Sequence, residues 1–397
     1  MSLSSRLEFL AEMRMQYQYA RSRADKSTII DRLCDVCHYN RKYAIRLLNA
    51  KGPPKPKRKF AKRGRKPIYD HPFILDVLTD IWVASNLPCA KRLKAIIPIW
   101  LPHYDKFMVP KEIKDKLLNI SASTIDRLMS AYRSKYAKKG LTTTKPGSIL
   151  KKHIPVKTQQ WDETIPGFLE TDSVAHCGTT TAGTYVNTVN CVDIATGWTE
   201  QRAVWGKGEH GTLEAIKDIE KTLPFPIKGF DCDNGSEFLN WHLLRYLTDR
   251  KQPVTFTRAR AYHKNDNAHI ENKNWTHVRQ LIGYQRFEHQ KLTQKLNDIY
   301  TSEWSLYFNF FIPSVKLISK TRVGAKIIKT HDEPKTPLQR LLEADTVSSQ
   351  TKDKLSRLAE DLNPFLLQKR MKNKIKNFIK NVKKYEKQNN QTETNKT

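Results

Sequence analysis

Three short strand-like stretches in succession, followed by an alternation of helix and strand, restrict this chain's fold more than any other feature. Phe168–Val174, Tyr185–Val192 and Trp198–Val204 read as strands, with the turn Asp193-Ile194-Ala195-Thr196-Gly197 between the last two. Glu209–Leu223 then places Leu213, Ile216, Ile219 and Leu223 on one helical face. A short strand, Ile227–Cys232, runs into an Asn234-Gly235 turn. A helix at Trp241–Leu247, a strand at Val254–Thr257 and a long helix from about Asn267 complete the series. This order predicts an α/β layer fold built on a mixed sheet.

The flanks are helical and basic. In residues 1–50, Ser27 can cap a helix bearing Ile29, Ile30, Leu33 and Cys37, and a break at His38-Tyr39-Asn40 precedes Arg41–Asn49. Two short helices with a tight turn suit a helix-turn-helix, a pattern that any small helical bundle shares. Residues 51–69 form a linker with nine Lys or Arg, no acid and four prolines, which keep it extended. Within it, Arg63, Arg65 and Lys66 make a flat basic segment suited to a DNA groove. Residues 70–145 read as a second helical unit ending in a helix from Ser123, capped with Asp126. Thr124, Asp126 and Arg127 near its start are candidate base readers. Residues 291–368 give an amphipathic helix and a small domain, and 369–397 a basic tail expected to be disordered.

Composition names the partner class. Lys and Arg total 70 against 40 Asp and Glu, a net charge of +30. A field of that sign attracts polyanions, nucleic acid first among them. With no signal-like N-terminus and no long apolar run, the chain is expected to be cytoplasmic, nucleoid-associated and free of membrane. The six cysteines are too sparse for a disulfide framework. Cys34-Asp35-Val36-Cys37-His38 formally matches a haem-attachment pattern, but it sits in an apolar helical repeat and reads as structural. No second CxxC or histidine pair completes a zinc site.

Three carboxylates stand at informative places: Asp172 on the first strand, Asp233 at the end of the fourth, and Glu271 in the first turns of the long helix. Hard oxygen ligands holding two Mg²⁺ roughly 3.5–4 Å apart can serve both oxygens of an in-line phosphodiester displacement. Strand alternation alone leaves the choice open, because Glu170 shares a face with Asp172 and Asp231 with Asp233.

The stretch Asp231-Cys-Asp-Asn-Gly-Ser-Glu-Phe238, with Asn267-Ala-His-Ile-Glu-Asn272 after it, resembles the catalytic core of retroviral-type integrases and bacterial insertion-sequence transposases. The resemblance covers about residues 160–290 and implies a ribonuclease-H-like fold. It also implies a DDE set of Asp172, in Gly167-Phe-Leu-Glu-Thr-Asp172, with Asp233 and Glu271, binding Mg²⁺ or, in substitution, Mn²⁺. The chain lacks the His₂Cys₂ zinc domain of retroviral integrases, so the bacterial transposase branch is the nearer pattern. The 38 positions between Asp233 and Glu271 slightly exceed the commonest separation and fit a longer loop.

On this resemblance the chain is expected to bind double-stranded DNA, both the terminal repeats of a mobile element and a target. It would hydrolyse the element end to free a 3′ hydroxyl and join that end to target DNA, as a homo-oligomer. Arg258, Arg260, Lys264 and Lys273 are expected to hold phosphates near the scissile bond, and Trp275 to pack behind the site. Asp193 and Glu237 read as turn and capping residues. The alternatives are a non-catalytic DNA-binding regulator and a ribonuclease-H-like nuclease.

Overall fold

The computed structural model describes residues 3–50, 68–136, 163–232, 235–258 and 268–394. Met1–Pro67 and Ile68–Thr397 are separate compact units. The described part of the first is three helices: α1 (Leu3–Tyr19), α2 (Arg23–Cys37) and α3 (Arg41–Leu48). Leu10, Met13, Ile30, Leu33, Cys37, Ala44 and Leu48 close around one another. The cap of α2 is Ser22 rather than Ser27. The Ser22 hydroxyl accepts from the Asp25 amide (3.0 Å), and Asp25 returns a bond to the Ser22 amide. Ser27 instead meets Arg41 across the turn (2.8 Å). Cys37 is buried, as a structural cysteine should be, and burial pushes its thiol pKa up. Arg63, Arg65 and Lys66 lie outside the described residues.

The second unit is built on a five-stranded sheet: β1 (Phe168–Ala175), β2 (Val186–Asp193), β3 (Thr199–Trp205), β4 (Gly229–Cys232) and β5 (Thr255–Arg258). Their order is β3-β2-β1-β4-β5. β1, β2 and β3 run antiparallel in sequence, and β4 and β5 join parallel to β1. This is the mixed sheet of a ribonuclease-H-like fold, and it puts β1 at the centre. The β1–β4 approach is close enough that a Cβ on Gly229 would come 2.3 Å from the Phe168 ring, so only glycine fits there.

Helices cover the sheet. α8 (Glu209–Thr222) packs on β3, and α9 (Trp241–Thr248) lies against α8 and β5. α10 (Ala268–Lys273) packs on β1 and β2 and continues through a π-helical turn, Asn274–Arg279, into the short α11 (Gln280–Ile282). α12 (Lys291–Ile299) and α13 (Ser305–Phe311), joined by a second π-helical turn, pack on β3. A hairpin follows, β6 (Leu317–Val323) and β7 (Lys326–His331), then α14 (Pro337–Glu343), opened by a Thr336–Gln339 capping box, and α15 (Ser349–Glu360).

The helices preceding the sheet are α4 (Pro72–Ala84), α5 (Ala90–Trp100), α6 (Lys111–Asn119) and α7 (Ala122–Tyr136). Rather than standing apart, they share one hydrophobic core with the sheet. Trp100 Nε1 donates to the Phe311 carbonyl (3.1 Å), and the Tyr307 hydroxyl donates to the Ala84 carbonyl (2.6 Å). The cap of α7 is Ser121, whose hydroxyl accepts from the Thr124 amide (3.1 Å), two residues ahead of the expected Ser123. The segment from Lys369, expected to be disordered, belongs to a helix, α16 (Pro364–Thr394). Its Leu367, Met371, Phe378 and Val382 are buried at helical spacing. The many lysines conceal that apolar stripe, because they occupy the opposite face. Among the described residues no helix is long and apolar enough to cross a membrane.

Just past β1, His176 is fully buried, its ring stacked on Phe287 and its Nε2 2.8 Å from the Thr188 hydroxyl. Burial, with repulsion from Arg279 second, pushes its pKa from 6.5 down to about 3. The unfolded chain therefore holds the extra proton between those values, and stability falls as pH drops through that window. Replacing His176 with Phe should flatten this dependence by up to about 1.4 kcal/mol per pH unit, measured by urea unfolding. Parallel curves for the two proteins would rule out this histidine as the source.

Candidate active site

The central strand carries two acids on one face, and they have different surroundings. Glu170 is buried, and its Oε2 accepts the backbone N–H of Ile270 (3.0 Å). A strand carboxylate thus satisfies an amide in the first turn of α10, where a negative charge is favourable. Asp172 is only half-buried. Its Oδ1 accepts the Ser173 amide (2.7 Å), and its Oδ2 accepts the side-chain amide of Asn274 (2.6 Å). Asn274 Oδ1 in turn accepts from Asn190 (2.8 Å), and Asn190 Oδ1 accepts from Gln201 (3.3 Å). This relay of amides runs from β3 through β2 to the helix and ends on the Asp172 carboxylate.

Glu271 lies between those two anchors. Ile270 precedes it and is bonded to Glu170; Asn274 follows it by three positions and is bonded to Asp172. Its side chain is exposed in the first turn of α10. β1 therefore holds the start of this helix at two points on either side of the glutamate.

Asp233 lies outside the described residues. Its described neighbours in the chain meet β1 on both sides of Asp172. Cys232, directly before it, is the register partner of Thr171. Glu237, a few residues after it, accepts the Ser173 hydroxyl (2.8 Å) and lies 3.4 Å from Lys207. Burial would raise the Glu237 pKa, but its bonds to the backbone and Ser173 and the nearby Lys207 outweigh that and hold it low. Asp231, the other acid on β4, is buried and accepts the Thr257 hydroxyl (2.5 Å). Asp193 holds the turn after β2, accepting the Gly167 and Thr196 amides (2.8 Å each).

The remaining expected contacts are scattered. Arg258 is exposed at the end of β5, opposite Cys232 in register. Arg260 and Lys264 lie outside the described residues. Lys273 points to His277, Nζ to Nε2 3.2 Å, and not to the carboxylates. Burial, with repulsion from Arg92 and Arg340, pushes its pKa down to about 7. Thr124 and Arg127 touch each other at the start of α7 (3.2 Å). Trp275, expected to pack behind the site, is 49% exposed instead. Trp275 lies four residues after Glu271, on the same helical face, and that face is open at both positions. Sequence reasoning missed Asn274 and the capping role of Glu170. The signal for Asn274 was its amide three residues after Glu271, on the same helical face.

Among the described residues no group of three His, Cys, Asp or Glu stands together as a metal site, and Asp233 is not one of those residues. The donors that are described suit a hard divalent cation: carboxylate oxygens, with Asp172 oriented by two N–H donors.

Replacing Asn274 with Ala should remove one of the two links from this helix to β1, the one to Asp172, and leave Asn190 short of a partner. The expected cost is about 1–3 kcal/mol, read as a lower thermal midpoint. An unchanged midpoint would mean the amide relay does not hold the helix.

No family model matches the chain. The catalytic core domain of BIV integrase aligns at 13% identity over 45% of this chain and 94% of its own length, with a TM-score of 0.28. A simian T-cell lymphotropic virus intasome in complex with the PP2A regulatory subunit B56 gamma aligns at 12% identity over 55% of this chain and 82% of that one, with a TM-score of 0.29. Both likenesses are loose, and the fold assignment rests on the sheet's own order and directions. In sequence, the uncharacterized protein y4rM of Sinorhizobium fredii (strain NBRC 101917 / NGR234) is 38% identical over 346 residues, spanning 85% of this chain and 95% of that protein. At that identity and coverage, the chain belongs to the same family as y4rM.

Proposed function

We propose that the chain is a DNA transposase of the bacterial insertion-sequence type, with Asp172, Asp233 and Glu271 as its catalytic carboxylates. The observation that carries this reading is the bracketing of Glu271 by the Ile270–Glu170 and Asn274–Asp172 hydrogen bonds. Both bonds tie the helix to the central strand on either side of the glutamate, across about a hundred positions of sequence, which is the arrangement a shared carboxylate site would need. The chain neighbours of Asp233 approach the same place through Thr171 and Ser173.

In this reading the three carboxylates hold Mg²⁺, or Mn²⁺ in its stead. The bound cation would lower the pKa of the attacking hydroxyl and offset charge on the leaving 3′ oxygen. The protein's own groups do the positioning. Asn274 and the Ser173 amide orient Asp172, and Glu170 fixes the turn that carries Glu271. Arg258, with Arg260 and Lys264 from the following segment, would hold phosphates beside the cut.

The three-helix unit before residue 50, the basic linker with Arg63, Arg65 and Lys66, and the start of α7 with Thr124 and Arg127 would bind the element ends. The net charge of +30 supports a polyanionic partner. Joining two ends requires an oligomer on DNA, and the place of work would be the nucleoid.

The test uses a labelled element end with Mg²⁺. Asp172→Asn, Asp233→Asn and Glu271→Gln should each lower 3′ processing and joining by about a thousandfold or more while end binding persists. Normal joining by any of the three would remove that residue from the catalytic set. Normal joining by all three would overturn the mechanism.

A further inference from the structure

We propose that a second pocket, apart from the carboxylates, binds a phosphate group, carried either by a nucleic-acid strand or by a free nucleotide. The pocket lies within the larger unit, between the segment leading into α5, the α10 π-helical turn, and the chain from Ile312 into the hairpin. Its volume is about 560 Å³, within the range of small-ligand sites and far more than a single ion needs. Neither Asp172 nor Glu271 lines it, so the inference stands without the catalytic reading.

Charge is the reason to expect an anion. Arg92, Lys273, Lys316 and Lys329 come to this one cavity from four parts of the chain, with His277 and His331 beside them. No Asp or Glu is among the described lining residues. Three of these cations are held by neutral groups. Arg92 Nε donates to the Pro313 carbonyl (2.7 Å), Lys316 Nζ donates to the Ala195 carbonyl (2.9 Å), and Lys273 Nζ lies 3.2 Å from His277 Nε2. These bonds orient the three side chains, and the Asp193 and Asp332 carboxylates lie near Lys316. Like charges gathered in a recess repel one another, and water screens them poorly there.

The hairpin gives an independent indication. Lys329 of β7, which lines the pocket, is the direct register partner of Lys320 on β6, so two ammonium groups share one face of the ribbon. Like charges placed directly across a ladder are mildly destabilising, and a bound anion would relieve that repulsion. Guanidinium and ammonium donors from several elements suit a phosphate. The apolar wall formed by Leu87, Phe308, Ile312 and Leu317 leaves room for an attached sugar or base.

The test titrates the full chain with adenosine 5′-monophosphate, with adenosine, and with a short single-stranded oligonucleotide. The variants are Arg92→Gln and Lys329→Glu, with Lys354→Glu on the exposed face of α15 as a control whose charge change equals that of Lys329→Glu. Circular dichroism checks folding, and the exposed Lys329 variant decides the matter should Arg92→Gln unfold.

The nucleotide should bind and adenosine should not, and Lys329→Glu should weaken nucleotide binding about tenfold more than the control does. If the oligonucleotide weakens in parallel and its salt slope falls by about one, a nucleic-acid strand supplies the phosphate. If only the nucleotide weakens, a free nucleotide does. Equal behaviour of Lys329→Glu and Lys354→Glu toward both ligands, or no phosphate-dependent binding at all, would overturn the proposal.

Discussion

The hydrogen bond from Asn274 to Asp172, with its companion from Ile270 to Glu170, is the attachment on which the larger unit's arrangement depends. A short helix has little stability of its own, since nucleating it costs more than its few internal bonds return. α10 exists where it does because two carboxylates on the central strand meet it. One satisfies an amide of its first turn, and the other takes a side-chain amide at the start of the π-helical turn. Glu170 is enclosed and structural, whereas Asp172 remains half-buried, with a carboxylate oriented by two donors. The two acids differ by two positions on one strand, yet one is enclosed and the other is open to solvent on one side.

The amide relay behind Asp172 shows how β2 tolerates polar residues in a strand buried at every position. Asn190 bridges Gln201 and Asn274, Thr188 meets His176 and Tyr300, and Asp193 closes its turn. A buried polar group costs little once it is hydrogen-bonded and much when it is not. The outer helices make comparable bonds to backbone carbonyls, as Trp100 and Tyr307 do. These join residues some 200 positions apart and explain why α4 through α7 share the sheet's core.

Much of this was legible beforehand. The succession of three strands and then alternating elements predicts the mixed sheet, and the observed strands and helices fall within a few residues of the expected ones. Strand alternation leaves Glu170 and Asp231 as candidates too, and only the resemblance to integrase-type cores singles out Asp172, Asp233 and Glu271, two of which lie in described residues. The helical C-terminal segment was not read, because a count of lysines hides a stripe of Leu367, Met371, Phe378 and Val382. The exposure of Trp275 was not read either, because which helical face the sheet covers depends on packing that periodicity does not fix.

By itself, then, the sequence determined the class of fold, the basic character that calls for a polyanion, and a short set of candidate acids. Those properties are local or additive: periodicity, turn chemistry and net charge are carried by neighbouring residues or by simple sums. Only the tertiary structure decided that Glu170 caps a helix while Asp172 stays accessible, and that Lys273 faces a cationic recess instead of the carboxylates. Such distinctions depend on enclosure and on partners a hundred positions away, such as Asn274 for Asp172. Neither quantity exists until the chain has closed on itself.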